Sequence, residues 1–340
     1  MASQQVLNNI LDVRSYFLKR ICILISGSIR VSFGHYSKIS DADLVLKVIK
    51  DHFMIDSMPV QSTGFESKKT KKISAIYLYP IKSCAPLKIS SGSWPLDGTC
   101  LQHDRQFVIM QGKLTLTQKK EARLCQIKPE IDVKNQVMTL SAPWETSTCS
   151  IPLDQTTDVQ EKALCSGKVC GDNIDGSDCG DEVAHWLEQV LDLTGLRLIQ
   201  LSNRKSKKVK QNLQSLANEA QFLILNRNSA QDICNESQDL DWMLEQFRGN
   251  IVIDNCEAYE EENWASIQIG DNLSLDVIGP CTRCNIIGID QTNSERVQEP
   301  LESLAKSQTR RFKFGILAGS KTSMKGKVLQ IGDEIKVVQQ

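Results

Sequence analysis

At 340 residues the chain is long enough for two or three domains and a substantial buried core. Forty basic against 41 acidic residues leave a net charge of -1, which argues against a general nucleic-acid or membrane-surface binder. Twelve cysteines lie scattered without the density of a small disulfide-stapled domain, and with no recognisable signal peptide they favour a reducing, cytoplasmic setting.

Residues 1–55 read as a helix, a short strand Ile29-Arg30-Val31-Ser32-Phe33, a turn at Gly34-His35-Tyr36 and a second helix. Ser40 caps that helix, and Leu44, Val45, Val48, Ile49 and Phe53 form its apolar face. So little strand makes a poor core alone, so this segment reads as something packed on a neighbour or as the edge of a larger domain. The first helix is amphipathic with basic neighbours; a mitochondrial leader is the competing reading, and Asp12 speaks against it. The longest apolar run, Ile21 to Ile25, is too short to cross a bilayer. Residues 56–72 mix Ser, Thr, Pro, Gly and Lys and read as a linker, its lysines solvated rather than a basic patch.

From Ile73 to about Ser150 the pattern turns to short strands at intervals near ten, the spacing of a sandwich or barrel: 73–79, 107–110, 113–117 and 136–140. Lys82 and Ser83 stand at one strand exit, and Asp104-Arg105 precedes an apolar strand. Taken singly, these are a surface lysine and a surface ion pair; together they suit a phosphate-bearing ligand. A surface helix follows at about Asp181 to Leu191, with Val183, Trp186, Leu187, Val190 and Leu191 inward, then a strand from Arg197 to Leu201. Cys165, Cys170 and Cys179 match no common zinc spacing, and 202–214 reads as an exposed basic loop.

The chain then becomes α+β. A strand at 222–226 precedes two helices, around 230–233 and 240–244. Phe247-Arg248-Gly249-Asn250 then places a third cation, with an amide, at the mouth of the strand Ile251–Ile253. A helix at Leu301 to Lys306 and strands at 312–317, 328–331 and 334–338 close the sequence. There is no internal repeat, Walker loop, Gly-x-Gly-x-x-Gly or Ser-His-Asp signature, and four scattered histidines argue against a histidine-rich metal site.

The stretch Gly279-Pro280-Cys281-Thr282-Arg283-Cys284 carries the most chemistry. It reads as a Gly-Pro turn with both thiols at the turn, between strands at 273–278 and 286–289. A thiol beside a cation suits a thiolate nucleophile or a soft-metal ligand. Spacing alone leaves four readings open: a redox dithiol, half a zinc site, a ligand for one soft metal centre, or two inert buried cysteines.

Six segments in order over about 265 residues resemble the two-part module that ends the eukaryotic molybdenum cofactor sulfurases. They are Tyr79-Pro80-Ile81-Lys82-Ser83-Cys84, Asp104-Arg105-Gln106-Phe107-Val108, Leu116-Thr117-Gln118, Lys168-Val169-Cys170-Gly171-Asp172, Phe247 to Ile253, and Gly279 to Cys284. Residues 28–50 resemble the C-terminal end of the desulfurase-like, pyridoxal-phosphate domain that precedes this module. The resemblance implies an α+β, β-rich fold: a MOSC-type β-barrel module with peripheral helices, preceded by a small α/β remnant of a PLP-transferase domain. The implied division is 1–55 remnant of an aminotransferase class V-like domain, 56–72 linker, 73–195 MOSC N-terminal β-barrel part and 196–340 MOSC domain.

The resemblance also implies a ligand, the molybdenum cofactor, and roles for particular residues. Cys284 matches the metal-ligating thiolate of related amidoxime-reducing proteins, with Cys281 as a supporting or alternative thiol. Thr282 and Arg283 match cofactor contacts, and Lys82, Ser83, Arg105, Arg248 and Asn250 match its phosphate and pterin contacts. The implied function is transfer of L-cysteine-derived sulfur to the cofactor, activating xanthine dehydrogenase and aldehyde oxidase. A complete sulfurase carries a pyridoxal-phosphate lysine and a persulfide-forming cysteine that have no counterpart here, and Arg30 matches a substrate-carboxylate arginine without an active site to serve. The chain is therefore expected to receive sulfur from a persulfide donor, not to bind pyridoxal phosphate or desulfurate cysteine unaided. Two alternatives remain: a molybdenum oxidoreductase of the amidoxime-reducing type, and a non-catalytic cofactor carrier or scaffold.

Overall fold

The computed structural model describes residues 70–89, 91–153, 164–169, 172–201, 220–234, 239–306 and 312–339. The desulfurase-like segment with Arg30, the linker up to residue 69, the basic loop 202–214 and Cys170 lie outside the described residues.

The strands are β1 (Lys72–Leu78), β2 (Leu87–Ile89), β3 (Ser93–Pro95), β4 (Phe107–Gln111), β5 (Leu114–Thr115), β6 (Lys128–Asp132), β7 (Val137–Ala142), β8 (Glu145–Pro152) and β9 (Leu164–Val169). They continue as β10 (Asp172–Asp178), β11 (Leu196–Leu201), β12 (Phe222–Asn226), β13 (Ile251–Asp254), β14 (Trp264–Ile269), β15 (Leu273–Thr282), β16 (Lys313–Gly319), β17 (Val328–Gln330) and β18 (Ile335–Gln339). The helices are α1 (Asp181–Leu191), α2 (Arg227–Ile233), α3 (Leu240–Gln246) and α4 (Leu301–Lys306).

Eight strands form one curled sheet in the order β18-β14-β15-β16-β12-β13-β1-β2. Pairing is antiparallel throughout except between β12 and β13. Backbone bonds from Ile73 N to Asp333 O (3.0 Å) and from Ile335 N to Lys71 O (2.8 Å) draw the start of β18 toward β1 and bend the sheet into most of a barrel. A smaller closed barrel runs β10-β11-β4-β5-β9, and β6-β7-β8 form a separate three-stranded sheet. Sheet membership crosses residue 195 in both directions: β1 and β2 pair in the large sheet, and β11 completes the small barrel.

The period of two along each strand explains why the large sheet is buried on both faces. Ile73, Ile76, Leu78, Phe222, Ile224, Ile251, Ile253, Trp264 and Ile316 fill its concave side. Tyr77, Tyr79, Leu223, Leu225 and Val252 face the other way, onto Met243, Leu244 and Phe247 from α3 and its exit. Such strands read as near-continuous apolar runs rather than clean alternation. In α1 the polar first turn, Asp181 and Glu182, favours the helix dipole, and Val183, Trp186, Leu187, Val190 and Leu191 are buried as their spacing predicts.

One sequence expectation fails at the thiols. Gly279-Pro280 is not a turn: β15 runs through both residues to Thr282, and Asn285–Gly288 is a short 3-10 turn rather than a second strand. The pairing with β14 stops at Asp276, so the last residues of β15 have β16 alone as a partner and the missing N–H of Pro280 breaks no ladder on the open side. Register shifts between Val277 and Gly279 and between Pro280 and Thr282 take up the irregularity.

The second of those bulges matters for the site. Three residues of β15, from Pro280 to Thr282, face four of β16, from Ile316 to Lys313, and Gly315 in that extra length has φ 72. The bulge reverses the parity of β16, so that Phe314 leaves the Ile316 face and stacks on Phe247 with centroids 4.0 Å apart. A Cβ on Gly315 would lie 2.7 Å from the Ile224 carbonyl oxygen, in a backbone conformation that L residues rarely adopt. Gly315→Ala is therefore expected to destabilise the fold by about 1–3 kcal/mol, read as a lower denaturant midpoint. A midpoint equal to wild type would remove the bulge from this account.

Candidate anion and thiol site

The three strand mouths seen in sequence meet at Tyr79. Beyond β1, Tyr79 N donates to Asp104 Oδ1 (2.9 Å), and Arg105 N donates to the Tyr79 carbonyl (2.6 Å). Asp104 is 5 % exposed and also receives Arg105 Nη1 and Asn250 Nδ2 (3.3 Å), so the expected surface ion pair is a buried one. Asn250, fully buried before β13, accepts from Leu223 N and Arg105 Nη1 (both 3.4 Å) and donates to the Tyr77 carbonyl (3.3 Å). One carboxylate and one amide thus join segments about 25 and about 145 residues apart in sequence.

Two guanidiniums share the Tyr79 ring, that of Arg105 at 4.7 Å and that of Arg248 at 4.4 Å from its centroid. Arg248 follows α3, and its guanidinium donates to Gln291 Oε1 and to the Cys84 carbonyl, each at 2.8 Å. Both acceptors are neutral, and among the described residues no carboxylate pairs with Arg248. Burial pushes its pKa down from the ordinary arginine value, opposed by the Tyr79 phenol and reinforced by the neighbouring Arg105. Burial likewise raises the Tyr79 phenol, opposed by the two arginines.

The backbone here is strained in a consistent way. Ser83 (φ 72), Arg105 (φ 51) and Arg248 (φ 52) all sit in the left-handed region although none is glycine. Gly249 lets the chain pass close to Leu225, whose Cγ would lie 2.5 Å from an added Cβ. Lys82 is half-buried in the turn after β1, its N–H on the Phe107 carbonyl (2.8 Å), and the Ser83 carbonyl accepts from Gln118 Nε2 (2.7 Å).

The thiols stand beside this cluster through Phe247. Arg283 Nη2 donates to the Phe247 carbonyl (2.5 Å), its guanidinium lies 5.5 Å from the Phe247 ring, and its Nη1 donates to Cys281 Sγ (3.1 Å). Arg283 Nε is buried without a partner. Cys281 is half-buried, whereas Cys284 is exposed at the start of the 3-10 turn, so two inert buried cysteines do not describe this pair. Among the described residues no hydrogen bond or ring contact joins Thr282 or Cys284 to Arg105 or Arg248. No group of three or more His, Cys, Asp and Glu among the described residues is placed to hold a metal ion.

Sequence reasoning missed Gln291 and the ring of Tyr79. Tyr79 stood in a quoted motif without a role, and Gln291 is an unremarkable amide in a polar run that only the fold brings against Arg248.

Exposure separates the cysteines chemically. Burial pushes the thiols of Cys84 and Cys256 up to about 12 and that of Cys125 up to about 11. Alkylation of the folded chain at about pH 8 should therefore label Cys284 and spare Cys84, Cys125 and Cys256 until denaturant is added. Peptide mapping that found Cys84 modified alongside Cys284 in folded protein would contradict the burial described.

Residues 70–194 match the family described as the MOSC N-terminal beta barrel domain, and residues 212–336 match the MOSC domain. The chain is 35 % identical over 337 residues to molybdenum cofactor sulfurase 2 of Culex quinquefasciatus, covering 92 % of this chain and 44 % of the relative. It is 38 % identical over 310 residues to the molybdenum cofactor sulfurase of Drosophila mojavensis, covering 86 % of this chain and 39 % of the relative. It is 36 % identical to that of Drosophila melanogaster over 308 residues, again 86 % of this chain and 39 % of the relative. The chain thus spans less than half the length of these relatives.

Proposed function

The chain belongs to the MOSC family, with the N-terminal β-barrel domain and the MOSC domain in tandem, and from that premise we propose that it is the cofactor-receiving part of a molybdenum cofactor sulfurase. The observation that supports this reading is the pair of guanidiniums on Tyr79 served by a single carboxylate, which leaves Arg248 in need of an anion. A pterin bearing a phosphate supplies one. In this reading Arg248, Arg105 and Asn250, with Lys82 and Ser83 on the adjoining turn, hold the phosphate and pterin. Thr282 and Arg283, which stand between the two thiols in sequence, are further cofactor contacts in this reading.

Cys284, exposed and soft in its ligand chemistry, is the thiolate for a molybdenum already bound by dithiolene sulfur. Cys281 is the second thiol, held by Arg283. When bound, the cofactor would supply a metal centre at which an oxo ligand is replaced by sulfide and leaves as water, the outer sulfur of the donor persulfide being reduced to sulfide by a thiol that ends in a disulfide with the donor cysteine. The chain's own residues bind its anionic end, orient it toward the two thiols and fix Arg283 against Cys281. The sulfur comes from L-cysteine through a persulfide on a desulfurase-type donor that holds pyridoxal phosphate, and xanthine dehydrogenase and aldehyde oxidase are the recipients. No described helix is long and apolar enough to cross a membrane, and the proposed setting is the cytoplasm.

Metal analysis of the purified chain tests the ligand assignment. Near-stoichiometric molybdenum is expected in wild type, with loss in Cys284→Ser and retention in Cys281→Ser, both variants unfolding at the wild-type midpoint. If Cys284→Ser carried as much molybdenum as wild type, Cys284 would not be the ligand.

A further inference from the structure

Two buried glutamines lie behind Arg248. Gln118, 0 % exposed, comes from the loop after β5; Gln291, 8 % exposed, comes from the loop after the thiol-bearing turn. Their amides bond to each other in both directions, Gln118 Nε2 to Gln291 Oε1 (3.0 Å) and Gln291 Nε2 to Gln118 Oε1 (3.2 Å). Gln291 Oε1 also accepts from Arg248 Nη1 (2.8 Å), and Gln291 Nε2 also donates to the Ile289 carbonyl (2.8 Å). Gln118 Nε2 continues the chain to the Ser83 carbonyl (2.7 Å).

Elementary donor and acceptor accounting dictates the amide orientations. A guanidinium only donates, so Gln291 must turn its oxygen to Arg248. Its NH2 then faces the Ile289 carbonyl and the Gln118 oxygen, which leaves the Gln118 NH2 for Gln291 and Ser83. Every polar atom of the two side chains is used, so the network is rigid. A carboxylate at position 291 would be nearly isosteric and would bind the guanidinium more strongly, because charged pairs are shorter and stronger than neutral ones. An amide fixes Arg248 without neutralising it.

We propose that Gln291, held by Gln118, is a positioning and specificity residue: it aims Arg248 and leaves its positive charge available to a phosphate-type anion. This inference rests on Arg248 being an anion-binding residue, as read above. It also ties the turn carrying Lys82 and Ser83 to the same scaffold, since Gln118 holds the Ser83 carbonyl while the Cys84 carbonyl accepts from Arg248. The anion therefore meets groups from both matched domains held in one network.

Calorimetric titration of the full chain with inorganic phosphate, alongside thermal unfolding, tests it. Gln291→Glu should weaken phosphate binding about ten-fold or more while the chain stays folded. Lowering the pH to protonate the introduced carboxyl should restore binding, which a merely structural defect would not do. Gln291→Met, which removes the acceptor without adding charge, should weaken binding several-fold and serves if the charged variant does not fold. Folded Gln291→Glu that binds phosphate as wild type does, while Arg248→Gln has lost it, would overturn the positioning role alone. If Arg248→Gln binds phosphate as wild type does, the anion reading falls and this inference with it.

Discussion

A half-buried guanidinium with only neutral partners is the constraint on which the rest of this structure turns. Taking an isolated charge out of water is expensive, and folded proteins ordinarily meet the cost with a carboxylate. Asp104 does that for Arg105, while Arg248 is left with an amide oxygen, a backbone carbonyl and the face of Tyr79. An arrangement of this kind lowers stability when empty and gains when an anion enters, which is the ground on which we propose it as a binding site. The left-handed backbone at Ser83, Arg105 and Arg248 is of the same kind: conformations held by their surroundings at some local cost.

Much of the architecture serves to hold that cluster. The curled sheet is covered on its outer face by α2, α3 and α4 with their connections, and Tyr77, Tyr79, Phe247 and Phe314 form the aromatic part of that layer. Phe314 reaches it because Gly315 reverses the parity of β16. Arg283 then bridges the aromatic layer to Cys281, so the thiol end and the cation end share one rigid support.

How much of this could be read from the sequence depended on whether the signal was local. The strands at 107–110, 222–226 and 251–253 and the helix at 181–191 followed from apolar runs or a 3.6-residue period, and those elements stand where they were expected. The edge strands β6 and β8 carried too little apolar signal to be seen. The Gly-Pro pair misled because both residues usually break strands, whereas here an open strand edge and two bulges accommodate them. At the site, the three cations were legible as residues at strand mouths, and their convergence on Tyr79 was not, because it depends on pairing between segments far apart in sequence. The burial of Asp104 and the place of Gln291 behind Arg248 are tertiary facts of the same sort. The family resemblance supplied the ligand; composition and spacing had left four readings of the thiols open.

The pterin content of purified protein, compared between wild type and Arg248→Gln at equal folded concentration, decides whether Arg248 holds the cofactor's anionic end. Pterin near one per chain is expected in wild type, with its loss in Arg248→Gln while the fold stays intact. Wild-type pterin content in Arg248→Gln, or no pterin in wild type produced with the cofactor supplied, would contradict the claim that the unpaired charge of Arg248 exists for the cofactor's phosphate.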